Sequence, residues 1–416
     1  MPINLRRTPP LRTPWWKLLL LVLLSAAINY ALVIFFQYIR VYKPIWAQPL
    51  TDLSAQYNPD WKRPESPFTP TQLFYKWDSF FYIDIAQNGY KQAPFSALQR
   101  QNWAFFPLYP AVVRLVGALA PSVDGLLLAG MLASNVLFFL ALLCWRNLFA
   151  KLNVPITHWH LFLALLLLFP VAYVYHFVFT ESLFLLLSGL FFLQLEKHQY
   201  VRAAWLVGLL TITRITGLIF LPVLLFAVWN NHTQAKSTAT QVAHGIGLSL
   251  IGLTPVFLFL TYLGAITGEP LAPLKIQAAW DNAGFVPFKT FLGYLTDYGL
   301  SAYWPHVLSI VLLVLSWFIL SRRSWQLIKR EKPLSALEWS LILASAALVF
   351  VNSSLQNRNS IFRYTTTIPY LYLLAAVWLS KQQQLQFLKY GVLALFIGLH
   401  ILFLGFFVLQ IPMYGF

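Results

Sequence analysis

Residues 17–38 read KLLLLVLLSAAINYALVIFFQY, an apolar run whose only charged residue is Lys17 at its start. About 20 apolar residues are what an α-helix needs to cross the hydrocarbon core of a bilayer. Similar runs recur along the 416-residue chain, in which 59% of the residues are hydrophobic and only 10% are charged. A soluble domain carries about a quarter charged residues. The sequence therefore excludes a soluble fold and predicts an all-α, polytopic transmembrane bundle.

The net charge of +16 does not indicate a nucleic-acid partner. The basic residues lie in short clusters between the apolar runs, where the positive-inside rule places them on the cytoplasmic side. The expected partner of the protein is the lipid bilayer, and no nucleic acid is expected. On the same rule residues 1–16 form a basic cytoplasmic tail, and residues 17–416 form a single transmembrane domain.

The apolar runs predict about 11 spans, with the amino terminus in the cytoplasm and the carboxyl terminus outside. After the first span they lie at about 125–145, 161–177, 180–196, 203–229, 245–265, 303–320, 336–352, 364–380 and 387–409. The segment 203–229 is read either as one crossing or as a short hairpin folded at residues 213–217. We favour the hairpin because it keeps the basic cluster at residues 322–332 on the cytoplasmic side.

Residues 40–124, which include the longest polar stretch at about 40–104, are predicted to be a large outer loop that contains two helices on the membrane surface. The first helix is expected at residues 70–88, because Thr69 is a suitable N-cap, Pro70 suits the first helical position and Gly89 suits the end. Its apolar residues fall on one stripe. The second surface helix is expected at residues 110–120.

Three carboxylates on the outer side are candidates for chemistry. Asp78 and Asp84 are six positions apart, so on one helix they project about 120° apart and cannot form a close pair. The alternative interpretation of Asp78 is a solvated carboxylate, without a chemical role, on a helix at the membrane surface. Glu181 lies between two apolar runs, where an acidic residue needs a partner or a role. A helix-dipole role after a Thr180 cap is its structural alternative.

Arg214 is a lone guanidinium between apolar residues at the tip of the predicted hairpin, where its forked donors suit a phosphate group. Arg358 and Arg363 taken singly are ordinary loop arginines. The histidines show no metal-ligand spacing with a carboxylate, so no metal site is predicted, and the need for a divalent cation stays open. The chain has no glycine-rich phosphate loop, so a transferase of this kind would need a donor that the membrane delivers.

Four short blocks occur in a familiar order. They are Trp77-Asp78-Ser79-Phe80-Phe81-Tyr82-Ile83-Asp84-Ile85-Ala86-Gln87-Asn88-Gly89-Tyr90, Ala104-Phe105-Phe106-Pro107-Leu108-Tyr109-Pro110, Thr180-Glu181-Ser182-Leu183-Phe184 and Thr213-Arg214-Ile215-Thr216-Gly217. Weaker similarities are Gln277-Ala278-Ala279-Trp280 and Arg363-Tyr364. Together the blocks resemble the PIG-V-type mannosyltransferases of the GT-C superfamily, the family of GPI mannosyltransferase 2. The shorter chain favours a prokaryotic relative with another acceptor.

The resemblance implies a GT-C-type bundle and a polyprenyl-phosphate-linked sugar, typically mannose, as the donor. It implies that Asp78 is the catalytic base, which takes a proton from a lipid-linked or glycan acceptor on the periplasmic, extracellular or lumenal face. Arg214 and Arg363 would then bind the donor phosphate, and direct displacement would invert the anomeric centre. The resemblance also marks supporting residues: Trp77, Asp84, Glu181, Gln277, Trp280 and Tyr364.

The competing interpretation is a multi-span transporter or flippase of lipids or lipid-linked sugars. It also needs many spans and buried arginines. Transporters often show related halves or paired broken helices, and the sequence shows no such pairing. The sequence does not identify the sugar or the acceptor.

Overall fold

The structure is a computed structural model that describes residues 13–42, 73–98, 100–231, 237–280, 286–289, 293, 304–328, 335–354, 360–381 and 386–409. In these ranges the regular elements are helices, and no strand occurs. The α-helices are α1 (Trp15–Tyr42), α2 (Ser79–Asn88), α3 (Leu108–Val116), α4 (Val123–Lys151), α5 (Ile156–Leu167), α6 (Glu181–Glu196), α7 (Tyr200–Thr211), α8 (Phe220–Asn231), α9 (Thr238–Thr267), α10 (Ala272–Lys275), α11 (Trp304–Ile328), α12 (Ala336–Ser354), α13 (Ile361–Thr365), α14 (Pro369–Lys381) and α15 (Gln386–Leu409).

Six of the described helices are long and apolar enough to cross a membrane, namely α1, α4, α9, α11, α12 and α15. Large apolar side chains cover their outer surfaces; on α9, for example, Leu250, Phe257 and Leu258 are all more than half exposed. An apolar surface of this extent is stable against lipid and not against water. The chain is therefore an integral membrane protein with an all-helical fold, as the sequence predicts. The total of about 11 spans stays a prediction.

The span predicted at residues 161–177 is wrong as a continuous helix. Helix α5 has 12 residues and ends at Leu167, so it is about 18 Å long and too short to cross alone. Pro170 prevents its continuation, because a proline disfavours helical backbone in the residue before it. The chain continues through a 3₁₀ turn at Ala172–Tyr175, and residues 169–185 are buried. Irregular backbone is tolerated at membrane depth when protein surrounds it.

The span predicted at residues 364–380 is also interrupted. The short helix α13 covers Ile361–Thr365, and α14 begins anew at Pro369. Proline is favourable in the first turn of a helix and unfavourable inside one, so Pro369 separates the two helices. The break leaves Arg363 on a separate short helix.

The predicted fold point at residues 213–217 coincides with a real break. Helix α7 ends at Thr211, and a 3₁₀ turn at Ile215–Ile219 leads into α8, which packs back against α7. A Cβ atom on Gly217 would lie 2.2 Å from the Leu210 carbonyl carbon. Only glycine allows the two backbones to approach this closely. The side of the membrane on which this break lies stays a prediction.

The first surface helix begins later than the sequence predicts. Residues 69–72, which carry the proposed cap, lie outside the described residues, and α2 begins at Ser79 and ends before Gly89. Trp77 has φ of +55°, which a right-handed helix cannot contain. The second surface helix, predicted at 110–120, is α3, which ends at Val116 before Gly117.

The helices that frame the candidate site pack side by side in the order α3, α4, α6 and α7, with α9 against α7. Helix α2 packs on α3, and α15 packs on α1. This packing brings four chain segments together: the start of α2, the start of α6, the break after α7 and the short helix α13. Hydrogen bonds between their side chains join them.

Candidate functional site

Asp78 occupies the N-cap position of α2, yet its side chain does not cap the helix. Its Oδ2 instead accepts a hydrogen bond from Nη1 of Arg363. A capping aspartate would bond to backbone N–H groups of its own first turn. The carboxylate of Asp78 therefore faces the protein's charged cluster and is held by a guanidinium.

Glu181 is the first residue of α6, and its side chain is fully buried. Its Oε1 accepts hydrogen bonds from Nη1 of Arg214 at 2.5 Å and from Nε of Arg363 at 2.6 Å. A buried charge is tolerated only when it is paired and hydrogen-bonded. Of the two interpretations left open by the sequence, the structure supports the partnered one: the side chain binds two guanidinium groups, although the helix dipole also favours a negative charge here.

Arg214 lies in extended backbone directly after α7. Its Nη1 also donates to Oγ1 of Thr180 at 3.1 Å. Its guanidinium carbon lies 5.2 Å from the centre of the Tyr364 ring, a cation–π distance. The break predicted from sequence thus directs Arg214 toward the start of α6.

Arg363 bridges the two carboxylates, because Nε donates to Glu181 and Nη1 to Asp78. Its guanidinium carbon lies 4.5 Å from the centre of the Phe179 ring. Burial alone would lower the pKa of the Arg363 guanidinium, but the Glu181 and Asp78 carboxylates raise it well above its ordinary value. Its bonds to these two carboxylates use Nε and Nη1.

The four side chains differ in their access to substrate. The exposed fraction is 30% for Asp78, 15% for Arg214, 11% for Arg363 and zero for Glu181. A general base must reach the proton that it removes. Asp78 is therefore the carboxylate of this cluster that an acceptor can touch, whereas Glu181 is an internal counter-charge.

Asp84 and Gln277, which are also predicted site residues, form hydrogen bonds to groups outside this ion-pair cluster. Asp84 accepts hydrogen bonds from Asn88 at 2.9 Å and from Asn102 at 2.8 Å, so it secures the end of α2 to the following loop. Trp77 is partly buried against the core. Gln277 donates within its own turn to the Pro273 carbonyl. The side chains of Trp280 and Arg358 are not among those described.

Four contributors were not predicted as site residues. Tyr175 donates to the Thr366 carbonyl at 2.7 Å, and Ser182 donates to the Tyr175 carbonyl at 2.7 Å. Tyr175 thus links the helix that begins with Glu181 to the turn that follows Arg363.

Two further side chains lie close to the ion pair. Phe179 lies under Arg363, and Lys76 is buried two residues before Asp78. In the sequence, the signal for Lys76 and Phe179 is that each directly precedes a motif, at Trp77 and at Thr180.

Among the described residues, no group of three or more His, Cys, Asp and Glu side chains could hold a metal ion. The cluster itself contains one accessible carboxylate, one buried carboxylate and two guanidinium groups.

Comparisons with known proteins complete this description. No protein-family model matches the chain. Two solved structures of the Archaeoglobus fulgidus oligosaccharyltransferase each superpose with a TM-score of 0.45. The structure in complex with Zn and sulfate is 13% identical, and the match covers 94% of this chain and 52% of that chain. The structure tethered to an acceptor peptide is 11% identical, and the match covers 96% of this chain and 55% of that chain.

Among curated proteins, GPI mannosyltransferase 2 of Schizosaccharomyces pombe is 27% identical over 236 residues, which are 52% of this chain and 48% of that protein. The chain thus spans about half the length of the curated relative that it matches. The match agrees with the resemblance carried by the sequence blocks. By sequence, about half of the chain is therefore similar to a GPI mannosyltransferase.

Proposed function

We propose that this protein is a membrane glycosyltransferase that moves a sugar, mannose, from a polyprenyl-phosphate donor to a lipid-linked or glycan acceptor. One observation carries the proposal: Asp78 is an accessible carboxylate bound directly to a buried arginine, which also binds the buried Glu181. A base beside fixed positive charge is what glycosyl transfer from a phosphate requires. The named activity of the relative supports the same reaction class.

Asp78 acts as the base. The acceptor oxygen attacks the anomeric carbon, and its proton passes to the Asp78 carboxylate. The bond from the anomeric carbon to the phosphate oxygen breaks, and its electron pair remains on the lipid phosphate. Attack opposite the leaving group inverts the anomeric centre. A positioned carboxylate contributes about 10²–10⁴-fold to such a proton transfer.

Arg363 and Arg214 stabilise the negative charge that develops on the departing phosphate. Both guanidinium groups are mostly buried, and electrostatic stabilisation is stronger where water is excluded. Glu181 holds the two arginines side by side, because each donates to its Oε1. The buried glutamate therefore places the phosphate-binding groups and does not itself transfer a proton.

Asp78 occupies an N–H group on Nη1 of Arg363, and the donor phosphate is expected to bind this same part of the guanidinium. When the donor phosphate binds, it competes with Asp78 for this guanidinium. A carboxylate that gives up its bond to arginine has an oxygen free to accept a hydrogen bond from the acceptor hydroxyl. Donor binding and activation of the base are therefore coupled through Arg363.

The positive-inside rule supports a site on the periplasmic, extracellular or lumenal face, since the basic clusters then stay in the cytoplasm. A polyprenyl-phosphate sugar reaches such a site through the membrane. The chain's own bundle would accommodate the lipid part, and the cluster at Asp78 would bind the phosphate and the sugar.

The test is transfer from radiolabelled polyprenyl-phosphate mannose by the purified protein in detergent, with membrane lipid extract as the acceptor source. We expect labelled product from the native protein and at least a 100-fold lower rate from Asp78→Asn, in keeping with loss of a general base. The matched control is Glu196→Gln, since Glu196 pairs with Lys151, a partner outside the cluster. It should retain native activity.

Normal turnover by Asp78→Asn would contradict the role of the base. Absence of product from the native protein with mannose, glucose and arabinose donors would contradict the transferase. Movement of the intact lipid-linked sugar across vesicles would then support the transporter.

A further inference from the structure

Lys76 is a buried lysine that lies two residues before Asp78. Only 4% of its surface is exposed, and its ammonium group donates to the Val408 carbonyl at 2.6 Å. Val408 is in the last turn of α15, which ends at Leu409. Carbonyls in the last turn lack partners within the helix and carry the negative end of its dipole. This end of α15 is therefore a suitable acceptor for a buried ammonium.

The turn between Lys76 and Asp78 is held by several bonds. The Lys76 backbone N–H donates to the Ser79 hydroxyl at 2.7 Å, and that hydroxyl is 2.6 Å from the Lys76 carbonyl oxygen. Between them Trp77 has φ of +55°. A bulky residue keeps such a conformation only when its surroundings enforce it. The orientation of Asp78 consequently depends on how firmly Lys76 is anchored.

The same turn of α15 also reaches the other side of the ion pair. The ring of Phe407 lies 6.2 Å from that of Phe179, centre to centre. The Phe179 ring in turn lies 4.5 Å from the guanidinium carbon of Arg363. Phe407 and Val408 thus contact the neighbours of both Arg363 and Asp78.

We propose that the last turn of α15 positions the Asp78–Arg363 pair, and that Lys76 is the positioning residue that couples this turn to Asp78. The inference rests on the proposed function, since it assigns Lys76 a role in presenting the base. Lys76 does not touch the reacting atoms. It fixes the backbone from which the Asp78 carboxylate projects.

The first experiment compares Lys76→Met with Lys76→Arg in the transfer assay. Removal of the ammonium should lower kcat at least tenfold without raising the KM for the donor, because Arg214, Arg363 and Glu181 are unchanged. Lys76→Arg keeps a cationic donor and should restore at least a third of the native kcat. The matched control, Lys151→Met, removes a lysine from an ion pair with Glu196 and should have native kinetics.

Several kinetic outcomes would overturn the inference. The first is a native kcat in Lys76→Met. The second is a KM for the donor that rises in step with the loss of kcat. The third is a well-folded Lys76→Arg that loses as much kcat as Lys76→Met. If Lys76→Met does not fold, Lys76→Gln takes its place, because its amide donates a hydrogen bond but is shorter than the lysine. The same outcomes then decide.

A second readout does not need enzymatic activity. Cys144 is the only cysteine in the chain, so Asp78→Cys in a Cys144→Ala background gives a single thiol at the position of the base. Lys76→Met should raise the rate at which a thiol reagent labels this introduced thiol at least fivefold, whereas Lys151→Met should not change it. Unchanged labelling would overturn the inference, whether or not the native protein transfers sugar. A native protein that makes no product while labelling rises as expected would refute only the proposed function.

Discussion

Asp78 and Arg363 form a direct ion pair, although 285 positions separate them in the chain. Arg363 uses a second nitrogen for Glu181, which also binds Arg214. Three residues from three separate sequence blocks thereby control one accessible carboxylate.

Replacement of Arg363 by lysine should impair the site although the positive charge is kept. A lysine has a single ammonium group and lacks the rigid fork that reaches Asp78 and Glu181 together. We expect the KM for the donor to rise about tenfold and kcat to fall, because a forked charge-assisted interaction with phosphate is lost. Steady-state kinetics with radiolabelled donor measure both values. Arg202→Lys, at an exposed arginine bonded to Gln199, is the control; equal effects in the two variants would contradict the specific role of Arg363.

Removal of charge from Glu181 should destabilise the protein. Glu181→Gln leaves the guanidinium groups of Arg214 and Arg363 buried beside a neutral amide. Loss of one partner from a buried ion pair costs about 3–5 kcal/mol. Thermal unfolding of the purified protein in detergent should show a clearly lower midpoint. The control is Glu196→Gln, which breaks a pair with the largely exposed Lys151. Its free energy of unfolding should fall by no more than about 1 kcal/mol. Equal destabilisation in the two variants would contradict the role of Glu181 as a buried counter-charge.

Asp78→Asn should bind the lipid phosphate more tightly while it loses transfer. In the proposed mechanism the carboxylate and the phosphate compete for Arg363, so a neutral amide leaves the guanidinium more available. Relief of one charge-assisted hydrogen bond is expected to increase affinity about fivefold. Competition between polyprenyl phosphate and a fluorescent polyprenyl-phosphate analogue measures this change. Unchanged or weaker binding would argue against coupling of the base and the phosphate site through Arg363.

Gly217→Ala should prevent correct folding around Arg214. The added Cβ would lie 2.2 Å from the Leu210 carbonyl carbon and 2.4 Å from its oxygen, so α7 and the following turn must separate. The yield of monodisperse protein and the donor affinity should both fall. Gly247→Ala is the matched control, because a Cβ there meets nothing within 4 Å and alanine favours the helix by about 0.5–1 kcal/mol. A well-folded, fully active Gly217→Ala would show that this close approach is not required.

The sequence predicted the helical membrane fold and the break at residues 213–217 because both depend on local patterns. Apolar length, charge clusters and glycine position act over a few turns of chain. The same local reasoning failed at residues 70–88 and 161–177. In the first segment Trp77 adopts a left-handed conformation before α2, and in the second Pro170 ends the helix while surrounding side chains bury the irregular backbone.

The sequence by itself determined that this protein is a helical membrane protein and which charged residues are candidates for chemistry. The tertiary structure decided that Arg363 joins Asp78 to Glu181, and that Asp78 is accessible while Glu181 is buried. The Lys76 contact with α15 likewise joins residues 332 positions apart. Span length is a property of consecutive residues, whereas ion pairing and burial depend on which distant segments pack together.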